Sequence, residues 1–255
     1  MVLVVTALAA VLVSSCGGGE EGKNEEEESQ APSQEEVQSA LEQAVAAGIP
    51  GIALEIQGRE GSEFLTAGSA SLENEQPLTS EDTFRIASVT KAFTAAVVME
   101  LVEEGALSLD DTVEQWAPGL LAEGNSITVR HLLGHTSGLP DYTEDENFVE
   151  AFLADEDLPP QQLVSFVSSE SLAFEPGTQY EYSDTDNIVL GMIVEAAGRS
   201  YEQELSSRVI DPMELQATVL PNSPEMPDPV RRCPILMPKA TSTHPKAREP
   251  GSWRT

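Results

Sequence analysis

Apolar and polar positions change period several times along the 255 residues. Val37, Leu41, Ala44 and Val45 share one helical face, which predicts a helix ending at the Gly48–Pro50 break. The next stretch, GIALEIQ (51–57), alternates apolar and polar residues as a half-buried strand does. Beyond the glycine-bearing GREGS, EFLTAGSAS (63–71) predicts its hairpin partner. Helical spacing returns in VTKAFTAAVVMELVEEG (89–105), opened by Ser88 and stopped by Gly105. Ala92, Ala95, Ala96, Val97 and Leu101 leave it little polar face, so burial on all sides is expected. Residues 107–120 and 127–140 read as short helices and turns. Further helices are expected at Asn147–Ala154 and Gln161–Ser169. A turn through EPGTQYEYSDTDN (175–187) then leads to the helix IVLGMIVEAAG (188–198), and SYEQELSSRVI (200–210) reads as a last amphipathic helix. A lone hairpin is not a stable sheet, so more strands are expected than the pattern shows.

The ends of the chain alter this picture more than its middle does. Residues 1–16 form an apolar run too short to span a bilayer, closing on small residues before Cys16. LVSSC resembles a bacterial lipoprotein processing site, which implies lipidation of Cys16, although no Lys or Arg precedes the run. The other reading is a buried N-terminal strand or helix ending at an ordinary cysteine. Residues 17–36, GGGEEGKNEEEESQAPSQEE, carry many like charges and nothing apolar of any size. They read as an acidic disordered linker. The second cysteine, Cys233, lies in the tail, so no disulfide framework can be built.

The formal charge is -31 and unevenly spread: 43 acidic and 7 basic residues precede Val230, against one and six from there on. An acidic body offers no cationic footprint for nucleic acid. Residues 230–255 turn basic and proline interrupts every candidate strand, so they read as an atypical, non-native tail after a frameshift or premature end near Val230. A genuine basic tail docking on the acidic body or on anionic lipid is the alternative.

Ser88 and Lys91 stand three residues apart at the start of the apolar helix. At a helix N-terminus, a lysine one turn on points back toward the serine along the same face. Held neutral by desolvation, it can take the serine proton, while the helix dipole favours a developing oxyanion. The competing reading is a capping serine beside a snorkelling lysine. His131 and His135 have the i, i+4 spacing of a zinc pair, but Leu132 stands where a metalloprotease has glutamate, so they read as structural.

FRIASVTKAFTAAVVMELVEEGALSLDDTV (84–113), ITVRHLLGHTSGLPDY (127–142) and PGTQYEYSDTDNIVLGMIVEAAGRSYEQEL (176–205) resemble the penicillin-recognising serine hydrolases. These include D-alanyl-D-alanine carboxypeptidases, class C β-lactamases and related esterases. The resemblance covers about residues 49–229. It implies an α+β, β-lactamase/transpeptidase-like fold: an antiparallel sheet flanked by helices plus an all-helical region, within an incomplete, apparently C-terminally truncated domain at 37–229. It makes Ser88 the nucleophile and Lys91 the base. Tyr182-Ser183-Asp184 occupies the family's Tyr-x-Asn motif, which implies proton relay by Tyr182 and a hydrogen bond from the third position to the lysine or the substrate. Asp184 there keeps an acceptor, loses a donor and favours a charged Lys91. Reading Ser183-Asp184-Thr185 as a Ser-Asp-Asn motif is a different registration. The third motif, Lys/His-Thr-Gly, is not found, and His135–Gly138 (HTSG) reads as a structural landmark. The expectation is an acyl-enzyme hydrolase acting on D-Ala-D-Ala stem peptides of peptidoglycan or on β-lactams, its activity doubtful without that motif. An inactive sensor or binding module and an esterase are the alternatives. A monomer without cofactor or metal is expected, lipid-anchored outside the bacterial cytoplasmic membrane or secreted.

Overall fold

A computed structural model describes residues 32–221 apart from 59, 60, 72–75, 155 and 216. Cys16, the 1–16 segment, the linker as far as residue 31 and the tail from Val230 lie outside the described residues. The described chain falls into two compact units, one up to Arg85 and one from Ile86.

The first unit is a helix on a hairpin. Helix α1 spans Gln34–Ala46, so residues 34–36 are helical where the sequence suggests linker. The reason is local: Ser33 and Glu36 form a capping box, each side chain bonded to the other's backbone N–H, and this outweighs the acidic composition. Strands β1 (Gly51–Gly58) and β2 (Gly61–Gly68) pair antiparallel from Gly51↔Gly68 to Gly58↔Gly61. Alternation in β2 turns Leu65 and Ala67 inward, and Gln38 of α1 donates from its side-chain amide to Thr66 O at 3.1 Å.

Among the described residues, the regular elements of the second unit are helices, joined by turns and by one antiparallel bridge between Thr112 and Thr128. The unit comprises α2 (Thr90–Glu103), α3 (Val113–Trp116), α4 (Val129–Leu133), α5 (Glu146–Leu153), α6 (Pro160–Ser165), α7 (Asp184–Ala197) and α8 (Tyr201–Leu205). Helices α2 and α7 pack together at its centre. Val97, Val98 and Leu101 of α2 share one core with Val189, Leu190, Ile193 and Val194 of α7, along with Ile127, Val129, Leu132 and Val164. Each such side chain contributes about 1.5–3 kcal/mol on burial, and this core fixes the relative position of the two helix N-termini.

Two expectations change here. Helix α2 buries one face only: Thr94, Val97, Val98 and Leu101 are inside, while Met99 is 48% exposed. Its apolar composition is spread around the whole circumference, and the described core covers one side. Helix α7 begins at Asp184, four residues before the apolar run that suggested it. The polar SDTDN reads as turn by composition, yet acidic residues are favoured in a first helical turn.

Candidate active site

Ser88 lies in a 3-10 turn, Ala87–Val89, that runs straight into α2. Lys91 follows one turn later, so both side chains meet at the N-terminal end of that helix, and Lys91 Nζ donates to Ser88 Oγ at 3.3 Å. From the other side come Tyr182, just before α7, and Asp184, the first residue of α7. Tyr182 Oη lies 2.9 Å from Ser88 Oγ and donates to Asp184 Oδ1 at 3.1 Å. Lys91 forms an ion pair with Asp184, and its Nζ sits 4.9 Å from the centre of the Tyr182 ring. All four sequence-singled residues thus converge, drawn from two segments more than 90 positions apart.

The electrostatics follow from this packing. Burial acts to lower the Lys91 ammonium, but hydrogen bonds and charge from Asp184 and Tyr182 outweigh it, and its pKa stands above the ordinary lysine value. Lys91 is therefore a cation in the resting site. Burial raises the nearby Tyr142 phenol, and the carboxylates of Asp184 and Asp141 raise it further.

Several residues the sequence reading passed over hold the Tyr182 loop. The N–H of Asp184 donates to Asp141 Oδ2 at 3.0 Å, so a side chain from a distant loop caps α7 where Ser183 does not. Thr185 Oγ1 donates to Pro140 O at 2.7 Å and accepts from Tyr142 N at 3.1 Å. The segment His135–Gly138 runs along the same loop: Glu181 N donates to His135 O at 2.9 Å, and Gly177 N to Thr136 O at 2.8 Å. The His135 ring lies 4.8 Å from the Tyr182 ring, and its Nδ1 is 3.1 Å from Oδ2 of Asp186, a fully buried residue. Ser137 Oγ donates to the other Asp186 oxygen at 2.5 Å. Burial raises the Asp186 carboxyl, against the opposing pull of His135 and Ser137.

Gly138 has φ +77°, and a Cβ there would lie 2.4 Å from Phe174 O, so only glycine lets this segment pass so close. His131 faces elsewhere, its Nδ1 accepting from Thr128 N at 3.3 Å, and does not join His135.

The beta-lactamase family model matches residues 37–252. The chain belongs to the beta-lactamase family. Among curated members, penicillin-binding protein 4* of Bacillus subtilis is 35% identical over 66% of this chain and 39% of its own length. A beta-lactamase of Escherichia coli is 31% identical over 67% of this chain and 43% of its own. The chain therefore spans about two-fifths of these relatives. Among solved structures, a D-stereospecific amidohydrolase from a Streptomyces species superposes with a TM-score of 0.70 at 38% identity, covering 78% of this chain and 60% of that one. The fold is accordingly that of the beta-lactamase and transpeptidase group, and the resemblance to penicillin-recognising serine hydrolases holds over the matched residues.

Proposed function

We propose that this beta-lactamase family member is a serine hydrolase working through an acyl-enzyme on amides of D-configured residues, either D-Ala-D-Ala peptides or β-lactams. The observation that carries the reading is the contact of Ser88 Oγ with both Tyr182 Oη and Lys91 Nζ at the start of α2. Ser88 is the nucleophile, Tyr182 passes protons between Ser88 and the leaving group, and Lys91 holds its charge beside both. The positive end of α2 favours the oxyanion. The relatives support the substrate class through their names: one binds penicillin, one is a beta-lactamase and one is a D-stereospecific amidohydrolase.

Labelling with a fluorescent penicillin tests this reading. Covalent label on the native chain and none on Ser88→Ala supports it. Equal label on both means acylation elsewhere and overturns the reading, and label on neither favours a non-acylating binding module.

The same proposal places the protein outside the cytoplasmic membrane, tethered by lipid on Cys16, on the strength of the LVSSC segment. Among the described residues no helix is long and apolar enough to cross a membrane. Incorporation of radiolabelled palmitate, lost in Cys16→Ala, is the expected result.

A further inference from the structure

Asp184 stands where the resembled motif carries an amide, and this one exchange alters how many protons the cluster can hold. Directions of donation follow from the contacts. Tyr182 has one proton and gives it to Asp184 Oδ1. Its contact with Ser88 at 2.9 Å must then be Ser88 O–H donating to Tyr182 Oη. Lys91 donates to both Ser88 Oγ and Asp184 Oδ1. Every donor in the cluster therefore points, directly or through one neighbour, toward a single carboxylate oxygen.

We infer that Asp184 is the terminal acceptor of the Ser88 proton, reached through the Tyr182 hydroxyl, with Lys91 remaining an ammonium throughout. This rests on the serine acyl-transfer reading above. An imidazole between a serine and a carboxylate can keep the proton it receives, because it has two nitrogens. A phenol oxygen cannot hold two protons. When the Ser88 proton arrives at Tyr182 Oη, the proton already there has to leave, and Asp184 Oδ1 lies on its path.

As Ser88 Oγ bonds to the carbonyl carbon, the C=O π pair moves onto oxygen. One proton passes from Ser88 to Tyr182 and another from Tyr182 to Asp184. On collapse the bond from carbon to the leaving nitrogen breaks, Tyr182 gives its proton to that nitrogen, and Asp184 re-protonates Tyr182. The Ser88 proton thus ends on the leaving nitrogen, while Tyr182, Asp184 and Lys91 return to their starting protonation.

A carboxylate is a weaker base than an amine. The offset is electrostatic: Lys91 keeps its full charge beside Ser88 Oγ as that oxygen gives up its proton, in a partly buried site where charge is weakly screened. With asparagine at 184 no vacant acceptor exists until Lys91 or Tyr182 has lost a proton.

Among the described residues the ionisable groups around Asp184 are Lys91 of α2, Tyr182 before α7, Asp141 and Tyr142 of the facing loop, Asp186 on α7 itself, and His135, whose ring lies against Tyr182 and Asp186.

The test compares acylation rate by fluorescent penicillin against pH in the full chain, in Asp184→Asn and in Ser88→Ala. Asp184→Asn should acylate on the order of 100-fold more slowly at pH 7. The acid limb of its rate profile should also move upward by about 2 pH units or more, since an amine or a phenol is a far weaker acid than a carboxyl group. In mixed light and heavy water the native rate should report two protons in motion, a curved dependence that a merely structural role of Asp184 would not produce. Serine-dependent labelling with matching acid limbs in native and Asp184→Asn chains overturns this inference and leaves the hydrolase reading standing. Labelling that survives Ser88→Ala sinks the hydrolase reading instead. Infrared difference spectra, native minus Asp184→Asn at pH 7, supply a readout without turnover: an ionised carboxylate band is expected, and a protonated one overturns the inference.

Discussion

Two non-glycine residues at the site hold positive φ, Ala87 at 45° and His135 at 51°. Such strain persists only where surrounding contacts over-determine the backbone, and it collects where a side chain must be aimed. Ala87 turns the chain immediately before Ser88. Ala87→Gly should therefore leave stability within about 0.5 kcal/mol, whereas the β-branched Ala87→Val should lose about 1 kcal/mol or more in urea unfolding. Removing the phenol oxygen breaks the contacts to Ser88 and Asp184 alike, so Tyr182→Phe should slow penicillin acylation by about 100-fold or more while the fold melts normally. At this scale Ser88 and Lys91 were legible from their spacing at the start of an apolar helix, and Tyr182 and Asp184 only through the motif of the resembled family. Asp141 and Asp186 were not. Acidic residues are common throughout this chain, and what sets these two apart is contact across more than 40 positions.

Between elements, the decisive joint is the start of α7. The loop at Pro140–Tyr142 supplies its cap, and the His135–Gly138 segment supports Tyr182 from behind. Asp141→Ala should cost about 1 kcal/mol, as lost caps do, and should slow acylation because Asp184 N–H loses its anchor. Asp186→Ala is the harsher change. It strands the Ser137 hydroxyl, and His135 loses its carboxylate neighbour, in a spot closed to water. A loss of about 2–3 kcal/mol in thermal unfolding is expected. The hairpin and most helices were visible in the periodicity. The early start of α7 was not, because its first turn is built from residues that serve equally in turns. The one-sided burial of α2 was also hidden, since composition says how apolar a helix is and not which face finds a partner.

For the helical unit as a whole, α2 and α8 are tied through a buried acid. Glu204 is 2% exposed and accepts from Arg199 Nε at 3.0 Å and Arg208 Nε at 2.5 Å, while Arg208 reaches Glu104 of the neighbouring turn at 2.8 Å. Bonds from Arg199 are the largest cause holding the Glu204 carboxyl at about 2. Because the folded value lies below the unfolded one, its contribution is complete above about pH 4.3 and fades as pH falls through about 2. Glu204→Gln should thus destabilise the unit by about 3 kcal/mol at neutral pH, a gap that closes in melts toward pH 2. The assembled site has a kinetic side as well. Ser88 and Tyr182 are 94 residues apart, so bringing them together costs about 4 kcal/mol of loop-closure entropy before any hydrogen bond returns it. On the proposed acyl-transfer reading, labelling by penicillin should then appear late in refolding, and a chain caught part-way, however helical, should give no covalent product.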